Sequence, residues 1–122
     1  MKIKVLSEDF SVCKVADYSQ TDLNRDFVFT GKTDEEKSLV CPTEIVPQNT
    51  TERDDGWRGM RIEDTLDFSL IGILAKISAI LADNKIGIFV VSTYNTDYIL
   101  TKAENFEKAI SLLSDNGYEI IE

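Results

Sequence analysis

Residues 67–81 read Asp67-Phe68-Ser69-Leu70-Ile71-Gly72-Ile73-Leu74-Ala75-Lys76-Ile77-Ser78-Ala79-Ile80-Leu81, and this stretch decides the fold. Its apolar positions Leu70, Ile73, Leu74, Ile77, Ile80 and Leu81 recur at the i, i+3, i+4, i+7 spacing of an amphipathic helix that turns one face to a core. Asp67 or Ser69 stands where an acceptor side chain caps a first helical turn. The helix is expected to end near Asp83-Asn84, because Asn tolerates the left-handed conformation common just past a helix C-terminus.

The elements on either side have equally clear punctuation. Before the helix, Trp57–Glu63 reads as a strand with Trp57, Met60 and Ile62 as its apolar content. After it, Ile86–Tyr94 is rich in β-branched and aromatic residues, Asn95-Thr96 is expected as a tight turn, and Asp97–Lys102 as the returning strand. A second helix runs from about Glu104, with Phe106, Ala109, Ile110 and Leu113 inward, to Asn116-Gly117. There Gly117 supplies the left-handed residue that terminates it. Tyr118–Ile121 is the last strand. This order predicts an α+β fold, the ferredoxin-like βαββαβ sandwich, with both helices on one face of a four-stranded sheet. Its second and fourth strands lie at the edges. A long apolar edge such as Ile86–Tyr94 invites pairing with another strand, from the N-terminal half or from a second subunit.

The N-terminal half reads as strands. Lys2–Leu6 and Phe10–Val15 are short runs separated by Ser7-Glu8-Asp9, which looks like a hairpin turn; Phe27–Thr30 and Lys37–Cys41 form a second such pair. Asp17–Asp26 reads as a loop, and Pro42 and Pro47 leave room for only a very short helix over Thr43–Val46. The polar, aperiodic Gln48–Gly56 reads as a linker. The expected organisation is a strand-rich half over 1–50, a linker over 51–56 and the βαββαβ unit over 57–122.

At 122 residues, with 43% hydrophobic and 29% charged residues, the chain has the size and composition of one globular domain. Thirteen basic against twenty-two acidic residues give a net charge of −9. Such a surface repels phosphate backbones, so neither nucleic acid nor a membrane is an expected partner. No apolar run approaches the ~18 residues of a membrane span, no signal-like segment opens the chain, and the expected location is cytoplasmic. The two cysteines, Cys13 and Cys41, read as reduced thiols on strands. Histidine is absent, which removes Ser-His-Asp, Cys-His and His-metal chemistry together, so no enzyme, cofactor or metal is expected. The acids Asp34, Glu35, Glu36, Asp54 and Asp55 match no calcium-loop pattern and read as a solvated face.

The segment Asp67–Leu74, followed by Ile77 and Leu81, resembles the strand-to-helix segment of ACT domains, where an acidic residue, a turn and a glycine precede an apolar helix. Val91-Ser92-Thr93-Tyr94-Asn95-Thr96-Asp97-Tyr98-Ile99-Leu100 is similar to the second hairpin of the ACT subfamily typified by the CASTOR arginine sensors and their small bacterial relatives. Those relatives carry a degenerate ACT-like N-terminal half, which fits residues 1–50. Enzyme-fused ACT domains often have Pro-Gly at the strand-to-helix turn, whereas Leu70-Ile71-Gly72 stands here. That difference favours the CASTOR-like branch.

The resemblance implies a ligand held between paired ACT units, against the strand-to-helix turn. A helix N-terminus offers unpaired amides and partial positive charge to a carboxylate, and Leu70, Ile71 and Gly72 are the candidates. Gly72 equally suits close helix–sheet packing. Asp67 is an acceptor for an ammonium group or a simple cap, and Ser69 is the alternative cap. Ser92, Thr93, Asn95, Thr96 and Asp97 form a polar cluster in which Asp97 is the second acceptor for an amine; Thr96 and Asp97 equally suit a turn. Phe68 and Tyr94 read as core or interface aromatics, or as pocket walls. Two functions follow: a stand-alone ACT protein that binds a small molecule, an amino acid by resemblance, as a homodimer or higher homo-oligomer or with a protein partner; or a dimerisation and docking module without a ligand.

Overall fold

The computed structural model describes residues 1–63 and 72–122. Its elements are β1 (Lys2–Val15), β2 (Phe29–Lys32), β3 (Lys37–Pro42), β4 (Thr50–Ile62), α1 (Ile73–Asp83), β5 (Phe89–Ser92), β6 (Asp97–Lys102), α2 (Ala103–Asp115) and β7 (Glu119–Ile121), with a 3-10 turn over Thr43–Ile45. The chain forms two compact units: a helical unit of Met1–Ser7 with Arg58–Glu122, and a strand unit of Glu8–Trp57. β1 and β4 each run from one unit into the other. No helix among the described residues is long and apolar enough to cross a membrane.

In the helical unit the strand order is β7-β1-β4-β6-β5. The succession from β4 through α1, β5, β6 and α2 to β7 is the expected strand–helix–strand–strand–helix–strand, and β5 and β7 lie at the edges. One feature departs from the sequence reading. β1 stands between β4 and β7, so residues 57–122 do not close their own sheet. β7 runs parallel to β1, with Lys2, Ile3 and Lys4 opposite Glu119, Ile120 and Ile121, and the Glu63 amide donates to the Lys2 carbonyl at 2.9 Å. The physical reason is the core. Ile3 is fully buried beside Met60 and Ile62 of β4, Ile99 of β6, Ile77 and Leu81 of α1, and Phe106, Ala109 and Leu113 of α2. Both helices feed this one core and therefore cover the same face of the strands.

The helix ends share one design. In α1 the Ile86 amide donates to the Leu81 carbonyl and the Lys85 amide to Ala82; in α2, Tyr118 donates to Leu113 and Gly117 to Ser114. Each is the crossed pair of hydrogen bonds of a Schellman cap. Gly117 takes the left-handed position (φ 92°), as expected, but in α1 that position falls on Lys85 (φ 62°) and not on Asn84 (φ −105°). Asn84 instead donates its side-chain amide to the Ile80 carbonyl at 2.9 Å. At the other end, α1 starts at Ile73, with the left-handed Gly72 (φ 84°) as its N-cap.

The strand unit has the order β2-β3-β1-β4 and no α-helix. Two expectations are corrected here. Ser7-Glu8-Asp9 is not a turn: β1 runs straight through it, since Phe10–Lys14 pair with β3 while Lys2–Lys4 pair with β7. Residues 51–56 are not a linker but part of β4. Their side chains are all exposed, so pairing with β1 sustains the strand rather than burial. The Ala16 amide donates to the Asn49 carbonyl (3.1 Å) and the Thr51 hydroxyl to the Lys14 carbonyl (3.3 Å). Cys13, Val15, Leu39 and Cys41 form a small buried cluster in this unit, in which Phe10 and Val40 are buried as well. Both thiols are unpaired and buried, and burial pushes Cys41 up from 9.0 to about 11.

Candidate functional site

The hairpin expected to bear ligand contacts is built from β5 and β6, with Phe89 opposite Leu100, Val91 opposite Tyr98 and Ser92 opposite Asp97. Its tip is Tyr94-Asn95, one residue earlier than expected, because Thr93 and Thr96 close the turn. The Thr93 amide and hydroxyl both donate to the Thr96 carbonyl at 2.9 Å. Thr96 is buried and donates its own hydroxyl to the Ile62 carbonyl at 2.7 Å, fastening the hairpin to the end of β4. Tyr94 is 88% exposed, which overturns its reading as a core aromatic: a side chain at the outermost tip of a two-residue connection has no core to enter. Ser92 and Asn95 are also exposed, and Asp97 is half-buried where β6 begins.

Thus Ser92, Thr93, Tyr94, Asn95, Thr96 and Asp97 do come together, but in different capacities. The hydroxyls of Thr93 and Thr96 hold the turn, whereas Ser92, Tyr94, Asn95 and Asp97 are presented outward or at the edge. Asp67, Phe68, Ser69, Leu70 and Ile71 lie outside the described residues. Gly72 is described and exposed, and its carbonyl accepts from the Lys76 amide at 3.0 Å. Since α1 begins at Ile73, the first-turn amides that have no acceptor within the helix belong to Ile73, Leu74 and Ala75. Among the described residues, a Cβ built at Gly72 would meet nothing within 4 Å.

Two polar groups went unread in the sequence. Arg61 of β4 donates to Glu63 at 2.8 Å and reaches the Tyr98 hydroxyl at 3.5 Å, so a guanidinium stands beside the residue that follows Asp97. The carboxylate of Glu63, and then the Tyr98 hydroxyl, hold Arg61 more firmly protonated than usual. The alternation Arg61, Glu63 on one face of a strand was the available signal. In the strand unit, Ser11 is fully buried and donates to Asp55 at 2.5 Å, with the Thr43 hydroxyl 2.9 Å from the Ser11 oxygen. Asp55 also receives both Nε and Nη2 of Arg53 at 3.1 Å. It is therefore not merely part of a solvated acidic face.

A family profile described as the ACT domain matches residues 52–115, more than half of the chain. The chain belongs to the ACT domain family. The match runs from within β4 to the end of α2, so β1 and β7 of the helical unit fall outside it. Among solved structures, protein Atu0741 from Agrobacterium tumefaciens is 31% identical with a TM-score of 0.87, over 98% of this chain and 91% of that one. A Vibrio cholerae protein of unknown function, VC0802, described as a possible transport protein, is 20% identical with a TM-score of 0.73, covering 93% of this chain and 88% of that one. The regulatory subunit of aspartate kinase from Thermus thermophilus, in its ligand-free form, is 8% identical with a TM-score of 0.67, covering 94% and 96%. At those lower identities the likeness is one of fold. No curated protein matches the sequence.

Proposed function

We propose that this ACT domain protein is a regulatory module, without catalytic activity of its own, that binds an amino acid where two ACT units meet along β5. The observation that carries the reading is the position of β5. It is an edge strand of the helical unit, its Phe89, Val90 and Val91 are only half-buried, and it leads directly into the polar hairpin. An apolar edge of this kind is a template for a second strand. Pairing two copies brings hairpins and helix N-termini toward a shared seam. In this proposal the amides at the start of α1, near Gly72, receive the ligand carboxylate, Asp97 receives its ammonium group, and Asp67, Ser69, Leu70 and Ile71 complete the turn. Ser92, Tyr94 and Asn95 line the seam. Occupancy then stabilises the assembled form by mass action.

The missing proline before Gly72 supports placement in the CASTOR-like branch, as a stand-alone cytoplasmic regulator whose strand unit is a degenerate ACT-like half. A second reading, a dimerisation or docking module without a ligand, draws on the hairpin itself. The Thr93 and Thr96 hydroxyls are already committed within the fold. Sedimentation velocity of the wild type and of Val91→Lys tests the shared element of both readings. The wild type is expected as a dimer or larger, and the lysine variant, which sets like charges across the seam, as a smaller species. A wild type that stays monomeric at high micromolar concentration, with and without amino acids, contradicts the proposal.

A further inference from the structure

The helical unit carries a groove of about 520 Å³, remote in sequence from the hairpin, between α1 and the turn that ends α2. A cavity of ~300–1,000 Å³ is the usual size of a small-molecule site. One wall is a single face of α1, with Ile73, Lys76, Ala79 and Ile80; the other includes Gly117 and Tyr118. Ile73, Ile80 and Tyr118 are half-buried and pack on the hydrophobic core, so the floor is apolar and backed by rigid structure. Two residues leave the space open. Ala79 is exposed and short, and Gly117, required by the helix cap, has nothing within 4 Å of where a Cβ would stand.

Lys76 is the one charged side chain in this lining. Among the described residues no carboxylate forms an ion pair with it, although the protein carries a net charge of −9. It also sits in the first turn of α1, where the helix dipole disfavours a cation and an adjacent anion offsets the cost. Among the described residues the groove joins an apolar floor to the Lys76 ammonium group, with Met1 also in its lining, and this matches one ligand chemistry: an apolar body ending in one carboxylate. We propose that this groove binds an amphipathic monocarboxylate, with its hydrocarbon on Ile73, Ile80 and Tyr118 and its carboxylate on the Lys76 ammonium group. The site has only Ile73, at the start of α1, in common with the binding site proposed above, shares none of the hairpin residues, and goes beyond that function.

The test is a titration of the ¹⁵N-labelled full chain, followed by amide shifts, with 3-phenylpropionate and with the neutral 3-phenylpropanamide. Saturable shifts are expected at Ala79, Ile80, Gly117 and Tyr118, with the carboxylate binding roughly threefold to fivefold tighter than the amide, as suits an exposed ion pair. Lys76→Gln is expected to abolish that preference while leaving amide binding in place, and Ala79→Phe, which fills the groove, to abolish both. Val91→Lys is expected to leave the shifts unchanged, so loss of the β5 seam and loss of this site are separate results. Four outcomes overturn the proposal: no saturable shift, equal affinity for the two probes, shifts confined to Ser92–Asp97, or groove resonances that respond to protein concentration alone, which would mean that a second copy covers the groove.

Discussion

The Thr96 hydroxyl donates to the main-chain carbonyl of Ile62 at 2.7 Å, across thirty-four residues of sequence. This buried bond joins the β5–β6 hairpin to the last residue of β4, immediately before the segment that leads to Gly72. It therefore sets where Asp97 sits relative to the start of the helical connection. Thr96→Val keeps the shape and removes the donor, and is expected to cost about 1–2 kcal/mol. Thr96→Ser keeps the donor and is expected to cost less. Urea denaturation measures both, with the midpoint falling and the slope unchanged.

The matched caps of α1 and α2 make opposite predictions. Lys85 holds a left-handed φ of 62°, which costs a residue with a Cβ on the order of 1 kcal/mol. Lys85→Gly is expected to recover part of that, raising stability by about 0.5 kcal/mol after the added backbone entropy of glycine. Gly117→Ala meets no steric neighbour but forces alanine to φ 92°, and is expected to destabilise by about 1 kcal/mol. Thermal denaturation of the two variants should move in opposite directions.

In the strand unit, Ser11 has a single hydroxyl proton, so donating it to Asp55 requires Thr43 to donate to Ser11. Ser11→Ala takes the buried hydroxyl donor from Asp55, whose oxygens keep Arg53, and removes the acceptor of the Thr43 hydroxyl beside the Cys13–Cys41 core. The expected loss is about 1–3 kcal/mol by equilibrium unfolding. Arg53, by contrast, pairs with Asp55 at a half-exposed surface. Arg53→Ala should leave the unfolding midpoint almost unchanged.

Burial of Cys41 makes its thiol a weaker acid in the folded state than in the unfolded chain. At high pH the unfolded chain loses that proton first. The contribution of this thiol to stability is therefore fully present below pH 9 and is lost as pH rises toward about 11. Cys41→Ser or Cys41→Ala should flatten this decline in unfolding experiments at pH 8–11. In the native state both thiols should react slowly with iodoacetamide at pH 8, and rapidly in urea.

Much of the helical unit was legible. The stripe Ile73, Leu74, Ile77, Ile80, Leu81 and the cap at Gly117 are local signals, and the structure uses them as read. The misread elements depend on partners that are distant in sequence. Thr51–Gly56 has no alternating burial and becomes a strand only because β1 supplies its backbone partners. Ser7-Glu8-Asp9 has the composition of a turn, yet its flanks pair with β7 and β3 on either side and keep it extended. The left-handed residue fell on Lys85 because the reach from Leu81 to Ile86, both buried in the core, set the cap. For the site, the hairpin's polar cluster was visible, but not that Thr96 spends its hydroxyl on Ile62 or that Arg61 reaches Tyr98. Those contacts are tertiary.

A thermal-shift screen of the twenty amino acids on the full chain tests the central claim most directly. At least one is expected to raise the melting temperature, with the increment growing with the logarithm of ligand concentration above its Kd. If none does so at millimolar concentration, amino-acid binding by this ACT domain protein is contradicted.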